Sequence, residues 1–254
     1  MSQDYQQKKA FFDNLLTIYG RKPVLEALQD PCIPLFRLHL ADSNQRSGIL
    51  KDIEKLAAAR GVDVRYHSRD ALARISKNRN QDQGVAADLQ CPGYRHYKSF
   101  LEAQEGKIFR LIAVDRVTNP QNLGMIIRSV CASPIDGLLL PIKGCAPLSP
   151  LVIKASAGTL FKTTILRCES LPQTLTDFAA QKTDVCVLKG DAQTVIGDYN
   201  PKGSVIYVLG NETEGVSTEV EKTASTAIKI PMYNGVESLN VAVTAALLAF
   251  RHTI

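Results

Sequence analysis

The sequence predicts an α/β protein: an open parallel sheet in the C-terminal part, preceded by a smaller α/β unit. Three observations carry this. Short apolar runs alternate with helical patterns from end to end. The runs beyond residue 107 are nearly continuous in hydrophobicity, as strands covered on both faces require. Polar and glycine residues collect just after those runs, where open parallel sheets bind ligands.

In the first third, "PLFRLHLAD" (34–42) and "VDVRYH" (62–67) read as strands, and "SGILKDIEKLAAARG" between them reads as a helix stopped by Gly61. "QGVAADL" (83–89) is a third strand candidate. These elements make one unit over 16–90, with 1–15 as an N-terminal extension. The stretch 91–106 carries Pro92, Gly93 and little periodicity, and reads as a linker. Residues 107–254 then hold six strand candidates, "IFRLIAVD", "IDGLLLP", "TTILRC", "DVCVLK", "SVIYVLG" and "TAIKIP".

Composition narrows the classes. The chain has 254 residues, 45% of them hydrophobic and 22% charged, which suits a folded globular protein with no membrane span. The polar start lacks a secretory signal, so a cytoplasmic protein is expected. Six cysteines and four histidines are dispersed, without metal-ligand spacing, so no metal site is expected. A net charge of +5 is compatible with a polyanionic partner. With no Trp, extensive stacking on aromatic platforms is not suggested.

Three loops carry the chemistry. In "VDRVTNPQNLGMIIRSV" (114–130), Asn119 to Asn122 form a turn, and Arg128 follows among apolar neighbours. It either snorkels to the surface or faces a site that wants a cation. "SVIYVLGNETEGVS" (204–217) is a glycine-rich turn whose spacing is neither the dinucleotide nor the triphosphate fingerprint. The carboxylate of Glu212 would also repel phosphate, which leaves room for a cofactor that is cationic or neutral at that point. In "IPMYNGVESLNVAVTAALLAF" (230–250), Ser238 is placed to cap a helix starting at Leu239. Asn240, among apolar residues, needs hydrogen-bond partners.

Together "NPQNLGMIIRS", "VLGNETEGV" and "IPMYNGVESLNVAV" resemble, in order, the three signature motifs of the SpoU (TrmH-type) branch of the SPOUT RNA methyltransferases. "KASAGTLFKTTI" (154–165) is similar to the family's Ser-Ala-Gly segment. "YGRKPVLEAL" (19–28) resembles part of the family's front domain, a unit like ribosomal protein L30e. Asp82 stands where that domain often has His, and Thr213 replaces a commoner Gly.

The resemblance implies methyl transfer from S-adenosylmethionine to a ribose 2′-hydroxyl of structured RNA, with a guanosine of 23S ribosomal RNA the expected target. Transfer RNA is the alternative, as is a non-catalytic RNA-binding or ribosome-assembly factor on the same scaffold. It implies a deep trefoil knot and a homodimer through the C-terminal domain. The all-round apolar character of "NVAVTAALLAF" also suits a dimer. Residue by residue it places Asn122, Arg128, Glu212, Ser238 and Asn240 at the catalytic site, with Glu212 fixing its loop by pairing with Arg128. A guanidinium stays protonated, so Arg128 is read as binding phosphate and stabilising charge on the 2′-oxygen. The cofactor would rest on Leu209, Gly210, Asn211, Ile230, Met232, Ser238, Leu239 and Asn240. Arg21, Lys22, Arg74, Lys77 and Arg79 are the expected RNA contacts of the front domain.

Overall fold

The computed structural model describes residues 15–45, 48–91, 93–104, 106–251 and 253. The expected extension 1–15 lies almost wholly outside them. The chain divides into two compact units: the described residues of Met1–Pro92 with Leu148–Ile153, and those of Gly93–Pro147 with Lys154–Ile254.

The first unit runs β1 (Leu15–Tyr19), α1 (Arg21–Gln29), β2 (Leu35–Ala41), α2 (Ile49–Ala59), β3 (Asp63–His67), α3 (Arg69–Ser76) and β4 (Val85–Gln90). Its sheet has the order β1-β4-β2-β3. Only the β2–β3 pair is parallel. The predicted stop at Gly61 holds. With φ at 65°, Gly61 lets its own N–H reach Ala58 O at 3.1 Å and that of Val62 reach Ala57 O at 3.0 Å, the paired bonds of a left-handed helix terminus. The neighbouring Arg60 guanidinium closes the end of α1 by donating to Ala27 O and Leu28 O, carbonyls of its last turn, and to Asp30 O and Ile33 O in the turn that follows.

The second unit opens with β5 (Tyr94–His96) and α4 (Tyr97–Ala103). These lie inside the stretch read as a linker, so its described residues from Gly93 to Gln104 belong to this unit. β5 extends the large sheet by pairing parallel to β8 (Ile165–Cys168). Tyr97, Phe100 and Leu101 of α4 are buried, and the Phe100 ring meets Phe109 edge-on at 5.3 Å. Three residues make too short a strand for periodicity to reveal, and Pro92–Gly93 masked it.

After β6 (Arg110–Val114) come α5 (Pro120–Ala132), β7 (Gly137–Pro141), α6 (Pro150–Ala155, which lies across the division), β8 and α7 (Leu171–Ala180). Then follow β9 (Asp184–Leu188), β10 (Thr194–Val195), β11 (Val205–Leu209), α8 (Thr218–Glu221), β12 (Thr226–Lys229) and α9 (Val241–Phe250). The eight-stranded sheet has the order β10-β12-β9-β11-β6-β7-β8-β5 and every pairing in it is parallel. The expected parallel sheet is present, and all six predicted strands belong to it. Strands β7 and β11 are buried at every position, which explains their unbroken apolar sequence.

From β6 the chain moves to β7 on one side, whereas β11, on the other side of β6, leads on toward β12. The order reverses between β6 and β11, and such a switch point opens a crevice at the strands' carboxyl ends. The register pairs Leu209 with Val114, so the loops after β6 and β11 emerge side by side.

Candidate functional site

A cleft of about 740 Å³ opens at the carboxyl ends of β9, β11 and β12, within the size range of small-molecule sites. Of the eight predicted cofactor residues, Leu209, Gly210, Asn211, Ile230, Met232, Ser238 and Leu239 line it. Asn240 does not; it turns to a partner on α5. The cleft also takes in Leu188, Lys189 and Gly190 after β9, which the sequence reading did not name as site residues. A glycine just past a strand end was the available signal. Lys189 pairs with Glu221 and, at 3.7 Å, with Asp191; the Glu221 hydrogen bond holds its ammonium above the ordinary lysine value.

The loop after β11 folds back on itself. Asn211 N–H donates to Gly215 O at 3.0 Å and Gly215 N–H to Asn211 O at 2.9 Å. Asn211 Oδ1 accepts from the N–H of Thr213 at 2.7 Å and of Glu214 at 3.2 Å. This turn requires glycine at 210: a Cβ there would lie 2.0 Å from Gly215 C and 2.2 Å from Val216 N.

Three side chains join the three loops. The Asn122 amide donates to Glu212 Oε1, and Asn240 Nδ2 donates to Asn122 Oδ1 at 3.1 Å. Asn122, 8% exposed, sits between one acceptor and one donor, which fixes the orientation of its amide. Upstream, Asn119 caps α5, its Oδ1 accepting from Gln121 N–H at 2.8 Å. The expected pairing of Glu212 with Arg128 is not formed, because Glu212 is engaged by Asn122. Arg128 lies six residues along α5, about 9 Å further on and on another face. It is exposed and has no hydrogen-bond or ion-pair partner among the described residues.

The expected Ser238 cap is also corrected. α9 begins at Val241, and Asn240 is its cap, with Oδ1 accepting from Ala242 N–H at 2.9 Å. Ser238 stays exposed in the irregular stretch before the helix, free to face the cleft. Asn240 therefore satisfies both ends of its amide, one within α9 and one across to α5.

On the first unit, Arg21 is tied to the loop before β4. Its Nε donates to Gln83 O at 3.2 Å, and Gln83 Oε1 accepts from its N–H at 3.2 Å. Lys22, Arg74, Lys77 and Arg79 are exposed, although Arg79 pairs with Asp70 at 3.1 Å. Such an exposed pair contributes little to stability and yields readily to a competing anion. Asp82 is fully buried. It accepts from Arg69 Nη1, from Ser76 Oγ at 2.8 Å and from Gly84 N–H at 2.9 Å. Burial pushes its carboxyl up, but the Gly84, Ser76 and Arg69 bonds outweigh that and hold it below 3.8. Asp82 is thus an anchor for the loop between α3 and β4.

Residues 110–250 match the model of the SpoU rRNA Methylase family. Residues 17–94 match a model described as RNA 2′-O ribose methyltransferase substrate binding. A Mycolicibacterium paratuberculosis protein described as an uncharacterized tRNA/rRNA methyltransferase is 31% identical over 233 residues, 91% of this chain and 75% of its own. A similarly described protein of Mycolicibacterium vanbaalenii is 30% identical over 93% of this chain and 75% of its own. The fold matches the SpoU methyltransferase AviRb of Streptomyces viridochromogenes in complex with AdoMet, with TM-score 0.59, 21% identity, and 98% and 92% of the two chains covered. It also matches an AdoMet-bound rRNA methyltransferase of Sinorhizobium meliloti, with TM-score 0.58, 20% identity, and 100% and 92% covered.

The parallel sheet and these matches define an RNA methyltransferase of the α/β class. Within that class, the chain belongs to the SpoU rRNA methylase family.

Proposed function

We propose that the chain methylates a ribose 2′-hydroxyl in structured RNA, a guanosine of 23S ribosomal RNA being the favoured target, with S-adenosylmethionine as donor. The observation that carries the reading is the chain of side chains Glu212–Asn122–Asn240, which ties three loops together beside one cleft. The cleft suits the donor. Its lining combines three glycines with apolar side chains such as Leu209, Ile230, Met232 and Leu239, and Glu212 and Glu237 offer carboxylates to a cationic group, beside Lys189, already paired with Glu221, and Lys229. When bound, the donor supplies a methyl group already activated on a sulfonium sulfur.

The protein's task is alignment and charge control. Leu209, Gly210, Asn211, Ile230, Met232 and Leu239 hold the donor, Ser238 orients the nucleotide, and Asn240 holds the head of α9 against Asn122. Asn122 and Glu212 keep the walls in register. Arg128, a permanent cation with no partner among the described residues, binds the RNA phosphate and stabilises negative charge growing on the 2′-oxygen. Arg21, Lys22, Arg74, Lys77 and Arg79 contact the RNA backbone from residues 16–90, read as the L30e-like substrate-binding domain. Residues 107–254 form the methyltransferase domain, with a deep trefoil knot; the separate matches at 17–94 and 110–250 support this division.

The same reading includes a cytoplasmic homodimer through the C-terminal domain. It is supported by exposed apolar side chains on both α5 and α9: Met125 on one, Val243 and Leu247 on the other. Arg128, three residues from Met125, shares its exposed face. The decisive experiment incubates the protein with labelled donor and total RNA from a strain lacking its gene, then maps ribose methylation. Label at a 2′-oxygen of 23S RNA is expected. Label in transfer RNA alone moves the target there. A folded, donor-binding protein that labels no RNA overturns the reading and favours the assembly factor.

A further inference from the structure

We infer that Arg116, outside the three motifs, is a positioning residue that clamps the Asn211–Gly215 loop and thereby sets the carboxylate of Glu212. Its bearing on the donor site rests on the methyl-transfer reading above.

Arg116 is the second residue past β6, and the β6–β11 register sets it beside the loop that follows Leu209. Its guanidinium binds Glu214 through Nη1 and donates from Nη2 to Gly215 O at 3.3 Å. Its carbonyl accepts from Asn211 Nδ2 at 3.4 Å. One residue therefore holds the loop at its start and at its end, with Glu212 between. Asp115 adds a fastening just beyond, its Oδ2 accepting from Ser217 N–H at 2.7 Å, and it also lies 3.6 Å from Arg116 Nε.

The backbone points the same way. Arg116 has φ of 58°, a region that residues other than glycine, asparagine and aspartate seldom occupy. Retaining a long cation in a conformation that suits glycine implies that the side chain contributes more than the backbone gives up. The loop so held feeds directly into the Glu212–Asn122–Asn240 chain, yet Arg116 itself does not line the cleft. It acts through the loop.

This geometry makes R116G a discriminating variant, because glycine accepts φ of 58° without strain and keeps the carbonyl that Asn211 binds, while the guanidinium's hold on Glu214 and Gly215 is lost. The full chain is compared with R116G, R116K and E214Q by melting temperature, by hydrogen exchange at the Thr213 and Gly215 amides, and by calorimetry with S-adenosylmethionine. R116G is expected to melt within about 2 °C of the parent, exchange these amides roughly tenfold faster, and bind donor about tenfold more weakly. R116K, which keeps the charge but not the fork, should fall between. E214Q removes the same ion pair without touching residue 116 and decides the matter if R116G does not fold. Unchanged exchange in R116G, or in E214Q where that variant decides, overturns the proposal. Faster exchange with unchanged donor affinity also overturns it, reducing Arg116 to a structural prop. A parent protein that binds no donor would refute the methyl-transfer reading instead, and the exchange comparison would still judge the clamp.

Discussion

Replacing Asn240 by alanine removes, in one step, the cap of α9 and the donor to Asn122. A lost asparagine cap costs about 1 kcal/mol. Asn122 Oδ1 is also left without its donor on a residue only 8% exposed, at about 2 kcal/mol. The total is about 3 kcal/mol, a fall in melting temperature of roughly 6–12 °C for a domain of this size. N240D separates the two roles. A carboxylate caps as well as an amide, but it presents an acceptor to Asn122 Oδ1, which already faces away from the Glu212 acceptor. The Asn122 amide cannot turn to satisfy one carboxylate without opposing its oxygen to the other. N240D should therefore lose about 2 kcal/mol at pH 7, less than N240A, and regain part of it in acid, where a protonated carboxyl donates again. Differential scanning calorimetry at pH 7 and pH 4 measures both variants, and donor titration measures the site. Equal melting of N240A and the parent, or a larger loss in N240D than in N240A, would refute the two-sided role assigned to Asn240.

Arg128→Ala should leave the melting temperature within about 1 °C, since the side chain is exposed and unpaired in the described structure, yet lower methyl transfer at least about 100-fold; single-turnover transfer to RNA reads this out. Gly210→Ala drives a Cβ into the main chain of Gly215 and Val216, so donor binding is expected to be lost together with about 3 kcal/mol of stability, as calorimetry and urea titration would show. Asp82 has a folded-state pKa below its ordinary 3.8, so the stability it lends is complete above that value and disappears as pH falls through the lower, folded one. Asp82→Asn should cost about 2 kcal/mol at pH 7 and progressively less below pH 3.8, in urea unfolding of the two proteins side by side.

Buried strands write themselves plainly into a sequence, and this explains what was legible. "VIYVL" and "GLLLP" are covered on both faces and could be little else. β1 and the two-residue β10 have no such signature, and β5 hides behind Pro92–Gly93. The site was legible as loops, because glycine and amide residues cluster after strands. Its wiring was not. Ser238 and Asn240 are both good capping residues, and only the backbone decides which stands at the first turn. Glu212 and Arg128 suggest an ion pair on charge alone, but helical geometry turns Arg128 away and gives the carboxylate to Asn122. Arg116 was invisible because its importance comes from a strand register linking residues almost a hundred positions apart.

The bonds that unite the loops span 90 and 118 residues of sequence. During synthesis, no portion of the polypeptide short of Asn240 can hold Asn122 from both sides, however well the earlier strands have paired. Closing contacts so distant is slow relative to local structure, so the competent site is one of the last features to mature. The Glu212–Asn122–Asn240 chain therefore reports a finished molecule: truncated or half-folded chains lack it.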